Sequence, residues 1–305
     1  MYRWIAYRGE TIALEHYVTT PAHSLISQSI QAIESTASVN GDGFGLGWYG
    51  IHPDPGLYRE VRPAWSDENL RYLCRHLHSH LFFAHVRAAT GTPITRPNCH
   101  PFACGRWLFM HNGSIGGWSR LRRQVEALIP DELYPARIGT TDSEAIFLAI
   151  MGAGIENPVT ATETILARLT DFVNQNDDGD RLRFTAALSN GRDLYAFRYA
   201  VNDRANTLYY RESEHNIVIV SEPLDRSTQL GLCTREPCSG RKRWRAGARS
   251  ASLSPAPGSR RVIVRRSKRP LAGAQLRLVS TEAPGPWSCE VAAHFLSFAI
   301  DLRRD

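Results

Sequence analysis

No stretch of this 305-residue chain is apolar for long enough to cross a bilayer. The longest candidate, "AIFLAIMGAGI", stops well short of the roughly 18 residues that a span requires. The beginning, "MYRWIAYRGE", lacks the basic-then-apolar plan of a secretion signal. Six cysteines are scattered without any CxxC spacing, so neither a zinc site nor a disulfide framework is implied. Internal repeats are absent as well. These absences lead to the expectation of a soluble, cytoplasmic protein. What is present is a hydrophobic content of 43%, enough for a real core in one large or two small domains.

The net charge of +6 is unevenly distributed. Residues 226–305 hold 16 Lys+Arg against 5 Asp+Glu, a net of +11, which leaves 20 basic and 25 acidic residues, a net of −5, in residues 1–225. The basic character therefore belongs to the tail and says nothing about what the body binds. The texture changes at the same place. After "VSEPLD" the chain becomes rich in Arg, Ser, Pro, Gly and Cys and loses its periodicity, a composition unable to bury enough surface to offset chain entropy. The expectation is two parts: an ordered domain over 1–225 and a basic tail over 226–305 that is poorly ordered or out of frame.

Within the body, "WIAYRG", "GFGLGWYG", "LFFAHVRA" and "RWLFMHNG" read as strands. "SDENLRYLCRHL" reads as a helix with Ser66 as candidate N-cap and Asp67 and Glu68 in its first turn. "SRLRRQVEALI" is a second helix, and "TDSEAIFLAIMGA" a third, capped by Thr141 or Asp142. "PVTATETILARLTDFVNQ" carries an apolar stripe at helical spacing through Ile165, Leu166, Leu169, Phe172 and Val173. The runs "RLRFTAALSNGRDLYAFRYA" and "TLYYRESEHNIVIVS" alternate as strands do, and Asn190-Gly191 marks a hairpin. Strands and helices that do not strictly alternate predict an α+β fold, with antiparallel sheets and helices packed on them.

Several patterns look more specific than they are. Gly45, Gly47 and Gly50 match GxGxxG, but Pro53 and Pro55 forbid the helix that a dinucleotide site needs next. Alternate glycines in a strand, allowing close backbone approach, explain the run better. His76, His78 and His80 form HxHxH across an expected helix end, where three rings would not converge on a metal; a solvated face is the better reading. Asn112 lies in an "NGS" sequon, relevant only to an exported protein. The basic tail could attract nucleic acid, but non-specific stickiness of a disordered arm is the better reading.

Three motifs carry chemistry when taken together: "HVRAATG", "HNG" and "TTDSE". Arg87 offers a bidentate partner for a carboxylate. Asn112 and Gly113 offer a side-chain amide and an unhindered backbone N–H, the makings of an oxyanion hole. Asp142, near a helix start, is an anion that could receive an ammonium. A ligand with a carboxylate, an ammonium and an amide carbonyl, such as glutamine, would satisfy all of them. Singly, each also reads as a salt bridge, a turn or a helix cap.

In order along the chain, "RW-AY-GE", "NGDGFG-GWY", "FFAHVRA-TG", "NCHPF", "FMHNG-IGG", "GTTDSEA" and "SEPLD" resemble the class II glutamine amidotransferases, in particular a bacterial subgroup of small stand-alone proteins. The similarity covers about residues 1–225. It implies the N-terminal nucleophile hydrolase fold, a four-layer αββα sandwich of two antiparallel sheets between helical layers. It also implies roles: Arg87 grips the substrate carboxylate, Asn112 and Gly113 form the oxyanion hole, and Asp142 with Gly113 holds the α-amino group. His111 and the "NCHPF" turn with Cys99 would be scaffold. The reaction would be hydrolysis of a side-chain amide of glutamine or a γ-glutamyl compound through a thioester, with no cofactor or metal. An acceptor-domain protein partner is conceivable; a membrane or nucleic acid is not implied.

The resemblance breaks at its centre. Its nucleophile is a cysteine exposed as the first residue once Met1 is removed, and this chain has Tyr2. An unperturbed phenol of pKa about 10 is roughly 0.1% ionised at neutral pH, against a few per cent for a thiol. Removal of Met1 also demands a small second residue, so the free amine would be lost too. The expectation is negligible glutaminase activity as the chain stands. A non-catalytic glutamine- or γ-glutamyl-binding protein is the alternative, and an interaction protein using its basic tail on nucleic acid is a third. Cys and Tyr codons differ by one base. The change of texture near residue 226 similarly suggests a shifted reading frame.

Overall fold

A computed structural model describes residues 2–34, 38–89, 91–175 and 181–225, together with the backbone of three short strands at 231–232, 274–279 and 296–302. Two antiparallel sheets dominate it. The first contains β1 (Arg3–Ala13), β2 (Phe44–Trp48), β3 (Gly56–Glu60), β4 (His78–Val86), β9 (Tyr209–Glu212), β10 (Asn216–Val220) and β11 (Gly231–Leu232), in the order β11-β9-β10-β1-β4-β2-β3. The second contains β5 (Phe102–Cys104), β6 (Trp107–Ile115), β7 (Leu182–Ser189), β8 (Leu194–Val201), β12 (Ala274–Val279) and β13 (Leu296–Leu302), in the order β12-β13-β8-β7-β6-β5.

The side-chain alternation of β1 sorts the layers. Trp4 and Ala6 join Leu81, Phe83, Leu108, Met110, Ala187 and Ile219 in a cluster drawn from both sheets, so these residues face the inter-sheet space. Ile5 and Tyr7 point the other way, into a cluster with Leu14, Tyr17, Leu25, Ile26, Leu70 and Cys74. Those partners come from the first helical layer and its approach: α1 (Glu15–Val18), α2 (Leu25–Ile30) and α3 (Glu68–His76). The outer face of the second sheet is covered by α4 (Trp118–Glu126), α5 (Asp142–Gly152) and α6 (Pro158–Asn174), with Phe109, Phe147, Phe184, Ile165 and Leu169 in one core. The result is the αββα sandwich.

Local chemistry explains the ends of these elements. Asp67, not Ser66, caps α3: its Oδ1 accepts from Leu70 N at 3.0 Å, while Ser66, one residue earlier, ends a 3₁₀ segment. A carboxylate at this position satisfies the orphan amide and favours the positive helix end together. Thr141 caps α5, its Oγ1 accepting from Glu144 N at 3.2 Å. The Asn190-Gly191 turn closes the β7–β8 hairpin, with Gly191 at φ +87. In β2, a Cβ on Gly45 would lie 2.1 Å from the His100 carbonyl oxygen. One on Gly47 would press on Pro101 and Leu108, so the GxG run does serve close approach of the second sheet.

The expectation of a structureless tail is revised at three places. β11 pairs with β9, β12 pairs with β13, and β13 pairs with β8, so the tail extends both sheets across the expected boundary at residue 225. The reason is local: "QLRLV" and "LSFAIDL" alternate apolar and polar residues, a period that the tail's average composition hides. The rest of 226–305, including most of the basic run, lies outside the described residues. Among the described residues, no helix is long and apolar enough to cross a membrane.

Candidate active site

Residue 2 enters the sandwich immediately before β1. Strand pairing sets Arg3 opposite Val86, which brings the start of β1 beside the end of β4, where Arg87 follows. Asn112 arrives from the other sheet on β6. Its side-chain amide meets the backbone of residue 2 on both sides: Tyr2 N donates to Asn112 Oδ1 at 3.2 Å and Asn112 Nδ2 donates to Tyr2 O at 3.0 Å. The Asn112 carbonyl is itself held by Asn206 Nδ2 at 2.9 Å. Asn112 therefore touches the chain start directly, with one Nδ2 hydrogen still available.

The Tyr2 side chain is turned inward and only 7% exposed. Its ring lies 5.2 Å from that of His85 and 5.6 Å from that of His100, centroid to centroid, and the two imidazoles stack at 4.3 Å. Both histidines are fully buried. Burial and the neighbouring cationic and imidazole groups hold both well below the ordinary histidine pKa, so both are neutral at pH 7. The Tyr2 ring thus packs against two neutral imidazoles.

Arg87 has the opposite character. Its backbone is fixed by Gly43, whose carbonyl accepts Arg87 N at 2.8 Å. Its guanidinium is 0% exposed and donates to Thr92 Oγ1 at 2.7 Å, to the Pro93 carbonyl at 3.3 Å and to the Asp42 carbonyl at 3.4 Å. Its buried Nε has no hydrogen-bond partner, and no carboxylate among the described residues lies within ion-pair distance. A buried cation with only neutral acceptors is costly. It is chemically primed for an anion.

Asp142 stands at the first turn of α5. Its Oδ2 accepts Ile115 N at 2.9 Å and its Oδ1 accepts Ser143 N at 2.8 Å, which ties the helix to the end of β6. Successive N–H groups of a strand point to opposite edges, so Gly113 N–H faces the same edge of β6 as Ile115 N–H. That edge is free of β5, whose pairing with β6 spans only 107–109. A Cβ on Gly113 would come 1.9 Å from the Arg183 carbonyl oxygen and 2.3 Å from His111 Nε2, so only glycine fits. His111 braces the region, with Nδ1 2.8 Å from Ser143 Oγ and Nε2 3.2 Å from the Arg183 carbonyl. Burial lowers its pKa despite the opposing influence of Asp142.

Of the residues singled out in the sequence, Tyr2 and Asn112 are in direct contact, Arg87 borders them through the β1–β4 pairing, and Gly113 and Asp142 share the adjoining edge of β6. Cys99 is buried, its Sγ directed at the Thr95 and Glu60 carbonyls at 3.5 and 3.6 Å, and burial raises its pKa, which suits scaffold and not a nucleophile. His76 ends α3, whereas His78 and His80 lie on β4, with His80 Nε2 3.2 Å from the Gly191 carbonyl. Among the described residues, no group of three His, Cys, Asp or Glu is placed to hold a metal. Sequence reasoning missed Arg3, His85, Asn206 and Glu222. For Glu222 the signal was at hand, because "SEPLD" had been noted without a role.

Comparison with known proteins identifies the family. The sequence model for "Glutamine amidotransferases class-II" matches residues 16–223. The chain is 38% identical over 156 residues to the probable glutamine amidotransferase DUG3 of Saccharomyces cerevisiae, a match covering 48% of this chain and 44% of that protein, less than half its length. It is 28% identical over 227 residues to the gamma-glutamyl-hercynylcysteine sulfoxide hydrolase of Mycolicibacterium smegmatis, covering 74% of this chain and 88% of the relative. A glutamine aminotransferase class-II domain protein from Silicibacter pomeroyi superposes with a TM-score of 0.56 at 38% identity, covering 72% of this chain and 87% of that one. The glutamine phosphoribosylpyrophosphate amidotransferase of Bacillus subtilis shares the fold alone, with a TM-score of 0.50 at 12% identity over 72% of this chain and 41% of that one. With two antiparallel sheets between helical layers and a family match over two thirds of its length, this chain belongs to the class II glutamine amidotransferases.

Proposed function

We propose that the chain keeps a cradle for glutamine or a γ-glutamyl amide and does not turn it over while Tyr2 stands at the nucleophile position. The observation that carries this reading is the Arg87 guanidinium, buried with no carboxylate in ion-pair distance among the described residues, next to a residue 2 clasped by Asn112. The ligand's α-carboxylate would pair with Arg87, displacing its weak contact to the Asp42 carbonyl and relieving the desolvated charge. Asp142 would receive the α-ammonium, with Gly113 beside it. The remaining Nδ2 hydrogen of Asn112 and the Gly113 N–H would receive the amide oxygen as negative charge develops on it.

With cysteine at position 2 and Met1 removed, Sγ would attack the amide carbon. The C=O electron pair would move to the oxygen and return as the C–N bond breaks, and the nitrogen would leave as ammonia or an amine with the proton given up by the thiol and carried over by the free α-amine. Water would then cleave the thioester and release the γ-carboxylate and the thiol. Tyr2 supplies neither a thiolate nor a free α-amine, and its ring is wedged against His85 and His100. The yeast relative's name supports glutamine as the ligand and the mycobacterial relative's name supports a γ-glutamyl compound.

The test has two arms. Calorimetry with glutamine and with a γ-glutamyl amide on the Tyr2 protein should register binding, whereas a basic-tail interaction protein would register none. A glutaminase and γ-glutamyl amide screen should find turnover in Tyr2→Cys and not in the parent. Loss of a hydrolase nucleophile costs up to about 10⁶ in turnover, so the gap should span several orders of magnitude. Equal rates in the two proteins would sink the reading.

A further inference from the structure

The "SEPLD" stretch has a place in the fold but no assigned purpose. Its first two residues face the beginning of the chain. Trp4 N donates to Ser221 Oγ at 2.9 Å and Ser221 N donates to Trp4 O at 3.1 Å, which prolongs the β1–β10 pairing by one side-chain-mediated step. Thr207 Oγ1 donates to the Ser221 carbonyl at 2.9 Å. Glu222 comes next and is 1% exposed. A carboxylate buried so deeply must be compensated on every side.

It is. Arg3 Nε lies 2.8 Å from Glu222 Oε2 in a buried ion pair. His23 Nε2 lies 2.5 Å from Oε1, and the backbone amides of Ile33 and Glu34 donate to Oε1 and Oε2 at 2.9 and 3.0 Å. Burial pushes the Glu222 carboxyl up, but the Ile33 amide, His23, the Glu34 amide and Arg3 outweigh it and hold it below the ordinary carboxylate value. On its other side Arg3 Nη1 donates to the Tyr2 carbonyl at 3.2 Å, the same oxygen that takes Asn112 Nδ2. Glu34 is fixed in turn, its Oε1 accepting Tyr209 Oη at 2.7 Å.

We propose that Glu222 is a positioning residue that acts through Arg3 to lock the backbone of residue 2, and that the same carboxylate fastens the 33–34 segment beside it. It touches no reacting atom. The Tyr2 carbonyl is gripped by two donors from different parts of the chain, Asn112 from β6 and Arg3 braced by Glu222. Its N–H donates to Asn112 Oδ1. This three-point hold fixes where the side chain of residue 2 starts, whichever residue stands there. Its catalytic consequence rests on the function proposed above; its structural consequence does not.

Residue-resolved amide hydrogen exchange on the full chain tests it. In Glu222→Gln the amides of residues 2, 3, 33 and 34 should exchange at least tenfold faster, while those of α5 between Ala145 and Ile150 stay within twofold of the parent. In Arg3→Gln only residues 2 and 3 should loosen, and 33 and 34 should stay protected. Arg3→Lys should restore part of the protection by keeping the charge. Should Glu222→Gln not fold, Arg3→Gln judges the same hold.

A uniform rise in exchange across the protein, or unchanged exchange at residues 2 and 3, would overturn the proposal. In the Tyr2→Cys protein, Arg3→Gln should lower kcat at least tenfold with KM changed less than twofold. An unaltered kcat there overturns the positioning role. If Tyr2→Cys has no turnover at all, the function proposed above fails, and the exchange experiment still decides the hold on residue 2.

Discussion

The two halves of the candidate site, barely a strand apart, have opposite chemistry. Around residue 2 the interior is filled: a phenol sits against two stacked neutral imidazoles, with its backbone bonded at both ends. Around Arg87 the interior is electrically incomplete, with a buried guanidinium among neutral oxygens. On the function proposed above, Tyr2 fills the place where covalent chemistry would begin while the groups proposed to bind the ligand stay in place, so recognition and reaction would be separable. Groups that bind a ligand by charge remain useful without a nucleophile, whereas the oxyanion donors need an attacking atom before they accelerate anything.

The sharpest way to break this contrast is to exchange the side chain at position 2. Tyr2→Cys, with Met1 removed, should raise γ-glutamyl amide hydrolysis by several orders of magnitude over the parent in an ammonia-release assay, while Tyr2→Phe should leave the parent's rate unchanged. A Phe variant slower than the parent would mean the phenol itself does chemistry.

Acid should expose the filled half next. His85, His100 and His111 are neutral in the folded state, with pKa values below their unfolded value of about 6.5. A group depressed in this way contributes stability above its unfolded pKa and loses it as pH falls through the window toward its folded pKa. Each should take up a proton on unfolding below about pH 6.5, costing about 1.4 kcal/mol per pH unit per histidine. Urea midpoints from pH 7.5 down to pH 5 should fall steadily, and His100→Gln should flatten the slope by about one proton's worth. A flat profile would mean that these imidazoles are solvated.

Arg87→Gln probes the incomplete half. It should weaken glutamine binding by roughly tenfold or more, the ~1.5–3 kcal/mol of hydrogen bonds to a charged group, as read by calorimetry. The melting temperature should hold or rise, because a buried cation without an anion is removed. A large loss of stability with unchanged binding would make Arg87 scaffold. The smallest effect should come from Thr141→Ala, which removes the α5 cap. The loss of about 1 kcal/mol should appear in chemical denaturation and leave ligand affinity within twofold, since Asp142 stays bonded to Ile115 N.

Much of the architecture could be read from residue order. The 3.6-residue stripe from Ile165 to Val173 is helix α6, and the alternation around Asn190-Gly191 is the β7–β8 hairpin. Those signals are local, set by periodicity and turn chemistry. The alternation of β1 could be read too, although not which of its faces meets the other sheet and which the helices. Ser66 as a cap was a near miss because Ser and Asp compete for the same role one residue apart, and only the backbone bend decides between them. The tail strands were missed because a charge-rich average masks two short alternating runs.

Residue types in fixed order were enough to establish the family, the α+β class, the distribution of charge and the chemical character of position 2. It took the folded chain to close the Asn112 amide on the backbone of residue 2, to leave Arg87 without a carboxylate within ion-pair distance among the described residues, and to set Glu222 against Arg3. These contacts join residues up to 219 positions apart in the chain, from Arg3 to Glu222. Distance along a sequence carries no information about such meetings; the pairing of β1 with β4 and β10, and the stacking of one sheet on the other, creates them.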